Sequence, residues 1–270
     1  MKPYQHALIT GGSSGIGLAV AKKLVAHGGN VCLLARDQNK LARAQDELEK
    51  MTVEPSQIIE TLACDITDYH RLSSILEAWT ARTGVPDLVI NSAGISHPGY
   101  FQELEVETFH RLMDVNYFGT LHVLKCLIPE MIQRRSGTVV NISSQAGFVG
   151  VFGYSGYGAS KYAVRGLSDV LRAEMKPLGI HVAIVFPPDT QTPQLEFESA
   201  LKPIETQAIA GNAKILSAEQ VADSILRGLN RGQYIIIPGF EGKLFFRLVS
   251  LLGNLTYPVM DWLIRKAQKK

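Results

Sequence analysis

His6-Ala7-Leu8-Ile9-Thr10-Gly11-Gly12-Ser13-Ser14-Gly15-Ile16-Gly17 passes from an apolar run, through a glycine-rich turn, into a helical pattern. Glycine permits the tight turn and lets the backbone approach a pyrophosphate. The helix that follows offers unpaired N–H groups and the positive end of its dipole. Placed between a strand and a helix, Gly11-x-x-x-Gly15-x-Gly17 reads as a dinucleotide phosphate site, with Ser13, Ser14 and Ile16 as its other members. A mere tight turn would not need that placement.

The alternation continues outward from this stretch. Apolar strands are predicted at 6–10, 30–35, 58–64, 88–91, 137–143, 181–186 and 234–237. Helices fit at 15–27, 38–50, 69–82, 105–134, 157–177 and 218–231. Short, continuously apolar strands alternating with helices imply a parallel sheet covered on both faces, and right-handed crossovers then give an α/β, doubly wound Rossmann fold. Two segments fall outside the alternation, residues 187–213 and the tail from 241 to 270. The expected organisation is one domain over 1–240, with 187–213 as an insertion, followed by that tail.

The bulk numbers agree. A chain of 270 residues, 46% hydrophobic and 19% charged, suits one large domain with an ample core. A net charge of +2 gives no electrostatic case for nucleic acid. Cys32, Cys64 and Cys126 are far apart and form no CxxC pair, so they read as small buried thiols in a reducing compartment. The histidines show no HExxH-like spacing, and no metal is expected. The N-terminus enters a strand without a signal-peptide pattern, which points to the cytoplasm.

Tyr157-Gly158-Ala159-Ser160-Lys161 puts a phenol and an ammonium four residues apart on one helix face. A free tyrosine titrates near pH ~10, and a lysine one turn away is expected to stabilise the phenolate and draw that value down. Such a pair alone is common on helix surfaces. Here Asn91-Ser92-Ala93-Gly94 follows one apolar strand, and Ser143-Ser144 ends another. At the end of the second strand, Ala35 stands where an acid would bind the ribose hydroxyls of NAD, and Arg36 follows. A guanidinium matches a 2′-phosphate in shape and charge, so NADPH is expected over NADH, with Ser13 able to add a hydroxyl contact. Arg36 could also be a solvated strand-end charge, and Asp37 could turn back to the ribose or neutralise Arg36.

These elements, in this order, resemble the short-chain dehydrogenase/reductase family from about residue 4 to residue 240. The resemblance implies a carbonyl reductase in which Tyr157 gives the proton. Lys161 tunes Tyr157 and binds the nicotinamide ribose, and Ser144 holds the substrate carbonyl. It selects Ser144 over Ser143 by spacing to Tyr157, and Tyr154 is not the acid because Gly158 stands where its lysine would be. It gives Asn116 a water that relays protons to Lys161, and an asparagine inside a long apolar helix is unfavourable unless its amide is used. It sets Asp65 against the adenine, although Asp65 could instead cap the helix beginning near Asp68. Asn91, Ala93 and Gly94 belong to the adenine side and the central strand. Pro187, Thr190 and Thr192 belong to the nicotinamide side, where Pro188 replaces the family's usual glycine and stiffens the loop.

Pro187-Pro188-Asp189-Thr190-Gln191-Thr192-Pro193 and Lys202-Pro203-Ile204-Glu205-Thr206 resemble the family's 3-ketodihydrosphingosine reductase branch. That resemblance implies a long-chain keto amine, a lipid substrate of sphingolipid synthesis. Gln191 stands where that branch would carry an aspartate able to face the amine; Asp189, Glu196 or Glu198 could serve instead. Phe148, Val149, Val151, Phe152 and Tyr154 are candidate walls for the acyl chain, with Leu195, Phe197 and Leu201 as a lid. Any single one of these could equally be a core or subunit-contact residue. The alternatives are the same chemistry on a 3-oxoacyl thioester, steroid or retinoid, or, in another class, a non-catalytic dinucleotide-binding sensor or scaffold.

In the tail, Lys243, Arg247, Ser250 and Asn254 form one polar stripe on an otherwise apolar segment. The chain then ends in Arg265, Lys266, Lys269 and Lys270. The charges and the Gly253-Asn254 break argue against a spanning helix, so peripheral contact at the cytoplasmic face of a membrane is expected. The competing expectation is packing on the sheet or on a second subunit. The family resemblance implies a homodimer or homotetramer paired through the helices at 105–134 and 157–177.

Overall fold

The computed structural model describes residues 4–211 and 214–268. The strands are β1 (His6–Thr10), β2 (Asn30–Ala35), β3 (Ile59–Ala63), β4 (Leu88–Asn91), β5 (Gly137–Ile142), β6 (Ile180–Val185), β7 (Thr190–Gln191), β8 (Leu216–Ser217) and β9 (Ile235–Ile236). The α-helices are α1 (Gly15–Val25), α2 (Gln38–Glu49), α3 (Tyr69–Thr83), α4 (Val106–Met113), α5 (Gly119–Arg134), α6 (Ser155–Met175), α7 (Pro193–Ser199), α8 (Ile204–Ala210), α9 (Ala218–Asn230), α10 (Phe240–Leu252) and α11 (Thr256–Ala267). Seven strands form one parallel sheet in the order β3-β2-β1-β4-β5-β6-β9, while β7 and β8 pair separately.

Strand interiors such as Leu8, Leu33, Ile90 and Val140 are fully buried, because helices cover both faces of the sheet. One apolar layer joins β1 and β2 to α1, α2 and α9. The opposite layer joins the sheet to α3 and α5 around Trp79. The order reverses between β1 and β4, which opens a crevice at the C-terminal ends of the strands. Cys32 and Cys64 are buried thiols, and burial pushes both upward.

One expectation is corrected. The single helix predicted over 105–134 is two helices joined by a π-helical turn, Asp114–Phe118, which carries Asn116. The tail follows the expectation that competed with membrane contact, packing on the sheet. Phe245, Phe246, Val249 and Met260 pack on Phe148, Phe186 and Ile237, and α11 lies against α8. Its outward side exposes Phe240, Leu251, Leu255, Tyr257 and Trp262 together with the polar stripe of Lys243, Arg247, Ser250 and Asn254. Among the described residues no helix is long and apolar enough to cross a membrane. Lys269 and Lys270 of the basic end lie outside the described residues.

Candidate active site

The crevice begins at the glycine turn. Gly11 has φ +65°, and a Cβ there would lie 2.8 Å from the Ala93 amide nitrogen. A Cβ on Gly17 would meet the Gly11 carbonyl oxygen at 2.5 Å. The turn, the start of α1 and the segment after β4 therefore meet at backbone distance. Ser14 is the N-cap of α1 but makes no side-chain cap bond, and no acid stands in the first turn. The helix N-terminus is left to an external anion, which fits the pyrophosphate of a dinucleotide.

At the end of β2, Arg36 lies 3.6 Å from Asp65, both well exposed. Asp37 caps α2, its carboxylate accepting from the Lys40 amide at 3.0 Å, and so is engaged away from the ribose. Asp68, not Asp65, caps α3. Asp65 instead accepts from the Thr67 amide and hydroxyl, each at 2.9 Å. Burial pushes the Asp65 carboxyl upward, but the Thr67 bonds and Arg36 outweigh it and hold it below the usual carboxylate range. Arg36, Asp65 and Thr67 border a side cleft of about 400 Å³ that suits an adenosine moiety. Asn91, read as a cofactor contact, is 2% exposed inside the sheet, where it donates to Asn141 at 2.9 Å. It ties β4 to β5 and does not border the cleft.

The catalytic candidates converge beyond the turn. Asn116 accepts from the Ile95 amide at 2.8 Å and donates to the Ile95 carbonyl at 2.9 Å and to Ser160 at 2.8 Å. The π-helical turn thus spends the amide on fixing the post-β4 segment to α6. Lys161 donates to the Ile142 carbonyl oxygen at 3.0 Å, and Ser143 donates to the Lys161 carbonyl at 3.0 Å. Ser143 is therefore structural, whereas half-buried Ser144 borders the cleft together with Tyr157. The expected depression of Tyr157 is overturned. Burial pushes the phenol well up, Glu198 adds to this, and hydrogen bonds from Ser144 and Gln194 only partly oppose it. The lysine is also buried, and burial draws it down to about 8 despite the opposing pull of Glu198. Desolvation therefore governs both members of the pair.

Ser144, Tyr157 and Lys161 line one cleft of about 1010 Å³ running from Gly11 to Val151, Phe245 and Leu263. The short chain dehydrogenase family profile matches residues 5–201. The chain belongs to the short-chain dehydrogenase family. It is 37% identical over 252 residues to a 3-dehydrosphinganine reductase of Danio rerio, covering 93% of this chain and 76% of that one. It is also 37% identical over 255 residues to a 3-ketodihydrosphingosine reductase of Bos taurus, covering 94% and 77%. Among solved structures, a short-chain dehydrogenase from Sphingobium yanoikuyae in complex with NADPH superposes with a TM-score of 0.77 at 27% identity over 95% of each chain. One from Streptomyces avermitilis gives 0.79 at 27%, covering 98% and 97%.

On the substrate side, this short-chain dehydrogenase departs from two expectations. Phe148 does not border the cleft. It packs edge-on against Phe186 and Phe246, at 5.3 and 5.0 Å, and anchors α10 to the sheet. Phe152 also lies outside the cleft, its ring against Tyr100 at 6.1 Å and its carbonyl accepting from Thr206. Val149, Val151, Tyr154 and Leu195 do border it. So does Asp189, but its carboxylate is paired with Lys202 at 2.7 Å. Pro187, Thr190 and Thr192 line the nicotinamide end, and Thr192 caps α7 close to Gly15. Gln194 and the tail residues Phe245, Met260 and Leu263 were not anticipated in the cleft. For Gln194 a signal existed in its i,i+4 spacing from Glu198 on one helix face.

Proposed function

We infer that this chain is an NADPH-dependent reductase of a long-chain lipid ketone, 3-ketodihydrosphingosine, which it converts to dihydrosphingosine in sphingolipid synthesis. The observation that carries the reading is the shape of the cleft. Ser144, Tyr157 and Lys161 stand beside the glycine turn at one end, and apolar side chains of the insertion and the tail line the other. Relatives that share 37% identity across nearly the whole chain bear the name of that activity.

The residues present fit the cofactor. Gly11, Gly15, Gly17 and the α1 N-terminus would hold its pyrophosphate, and Arg36 its 2′-phosphate. Asp65 would take the adenosine side, and Lys161 with Thr190 and Thr192 the nicotinamide side. NADPH, when bound, supplies the hydride. Ser144 donates a hydrogen bond to the ketone oxygen and stabilises the negative charge that gathers there. Tyr157, kept protonated by burial and by Glu198, gives its proton to that oxygen. Lys161, still largely cationic at neutral pH with its value at about 8, steadies the phenolate left behind. Asn116 keeps α6 and the post-β4 segment in register for these contacts.

The exposed apolar side chains of α10 and α11 support peripheral docking on a bilayer, from which a lipid substrate would be drawn into a cleft walled by the same helices. Exposed Phe118, Tyr162 and Val170 on the long helices are suited to pairing two copies of the chain. The deciding assay is NADPH oxidation with 3-ketodihydrosphingosine in micelles, with NADH and an acetoacetyl thioester as comparisons. Turnover requiring NADPH and the sphingoid ketone is expected. Turnover of the thioester alone would move the same chemistry to fatty-acid synthesis and overturn the substrate assignment.

A further inference from the structure

Glu198 is a carboxylate in the wall of the catalytic cleft that forms no ion pair among the described residues. It is 6% exposed and borders the cleft from α7. Its oxygens accept from the Tyr154 hydroxyl at 2.6 Å and from the Gln194 amide at 2.8 Å, both neutral donors. No cation among the described residues pairs with it. Lys202, the nearest in sequence, gives its ammonium to Asp189 at 2.7 Å, and Lys161 donates to the Ile142 carbonyl oxygen. Burying a carboxylate costs several kcal/mol unless a cation and hydrogen bonds compensate, and here the hydrogen bonds are joined only by the through-space pull of Lys161, with no ion pair.

Its position relative to the reacting atoms is set through α7 and Tyr154. Gln194, one turn earlier on α7, donates to Glu198 and borders the same cleft as Tyr157. The Tyr154 and Tyr157 rings lie side by side, 5.5 Å between centroids, and the Tyr154 hydroxyl points to Glu198. A ketone whose oxygen meets Tyr157 and Ser144 therefore sits in the cleft that Glu198 also borders, with Tyr154 between the phenol and the acid. In a long-chain 2-amino ketone the carbon next to the carbonyl carries an ammonium. A neutral 3-ketone or a thioester would leave the acid without an ion pair. The other acids named from sequence do not qualify, since Asp189 is paired with Lys202 and Glu196 is exposed.

We propose that Glu198, held by Tyr154 and Gln194, binds the substrate's 2-ammonium group and selects amino ketones over neutral ones. This rests on the sphingoid-ketone reading above and identifies the residue that would enforce it.

The test compares 3-ketodihydrosphingosine with its N-acetyl derivative, on wild type and on Glu198→Gln, with NADPH fluorescence titration as a check of fold. Wild type should prefer the free amine. The variant should bind NADPH normally and lose about 10- to 100-fold in kcat/KM for the amine, the span of a charge-assisted hydrogen bond. The N-acetyl ketone should lose less, only what the changed field at Tyr157 and Lys161 costs, so that the preference for the amine collapses. Equal losses on both ketones would overturn the proposal and reduce Glu198 to a structural acid. Wild type taking both ketones equally well would overturn it without any variant. Absence of turnover with either ketone by wild type would instead remove the sphingoid reading, and the inference with it.

Discussion

Lys161 holds its ammonium 5.7 Å from the centre of the Tyr157 ring and donates to the backbone carbonyl of Ile142. The two residues are one helical turn apart, yet β5 rather than the phenol fixes where the charge sits. The lysine therefore acts on the tyrosine through space, from a position where its own charge is poorly solvated.

That position makes stability depend on pH. In the fold Lys161 titrates at about 8, against 10.5 for an ordinary lysine. Below the lower value both folded and unfolded chains hold the proton, and the burial cost is present in full. Between the two values the unfolded chain binds more protons, so this residue's contribution to stability rises with pH. Tyr154 and Tyr157 are pushed above the window and stay protonated within it. Urea unfolding of wild type and Lys161→Met at several pH values should show their free-energy difference moving in favour of wild type by on the order of 2 kcal/mol from pH 7.5 to 9.5. A difference independent of pH would mean the ammonium is solvated.

Removing the proton donor separates chemistry from binding. Tyr157→Phe keeps the ring beside Tyr154 and loses only the hydroxyl. Its kcat should fall roughly 10²- to 10⁴-fold, with NADPH affinity by fluorescence titration nearly unchanged. Turnover near the wild-type rate would point to a different acid.

Arg36 should decide between the two nicotinamide dinucleotides. Arg36→Ala is expected to lower kcat/KM with NADPH by about 10- to 100-fold and leave the NADH rate alone. Added salt should weaken the wild-type preference because the guanidinium is exposed. Equal effects on both cofactors would make Arg36 a partner of Asp65 only.

The outward face of the tail can be tested apart from the cleft. Leu251, Leu255 and Trp262 are 84, 65 and 57% exposed. Replacing them with serine, asparagine and glutamine should abolish flotation with phosphatidylserine vesicles while micellar turnover persists. Wild type that stays at the bottom of the gradient would end the membrane reading.

Most of the sheet was legible because its strands are short apolar runs bounded by glycine, proline and polar residues. The bounds of β1, β2 and β4 coincide with those expected from sequence. The π-helical turn at Asn116 was not legible as backbone, since one extra residue per turn barely disturbs an apolar period. Phe148 and Val151 read alike between the catalytic serine and tyrosine, and only tertiary packing sends one to the core and the other to the cleft. In the tail, a segment apolar on most of its circumference does not declare which side meets the protein. The sign of the Tyr157 shift was missed because spacing conveys the attraction of a neighbouring ammonium but not the depth at which both groups are buried.

The pairing of β7 with β8 closes the neck of the chain between Gln191 and Leu216. Closing a loop at its base makes its length thermodynamically forgiving, since each doubling adds only about 0.6 kcal/mol of closure entropy. The segment that carries Gln194, Leu195 and Glu198 is thus a cassette clamped at its base beside the sheet. New substrate preferences can arise by exchanging it whole, leaving the sheet, the glycine turn and the catalytic tyrosine undisturbed.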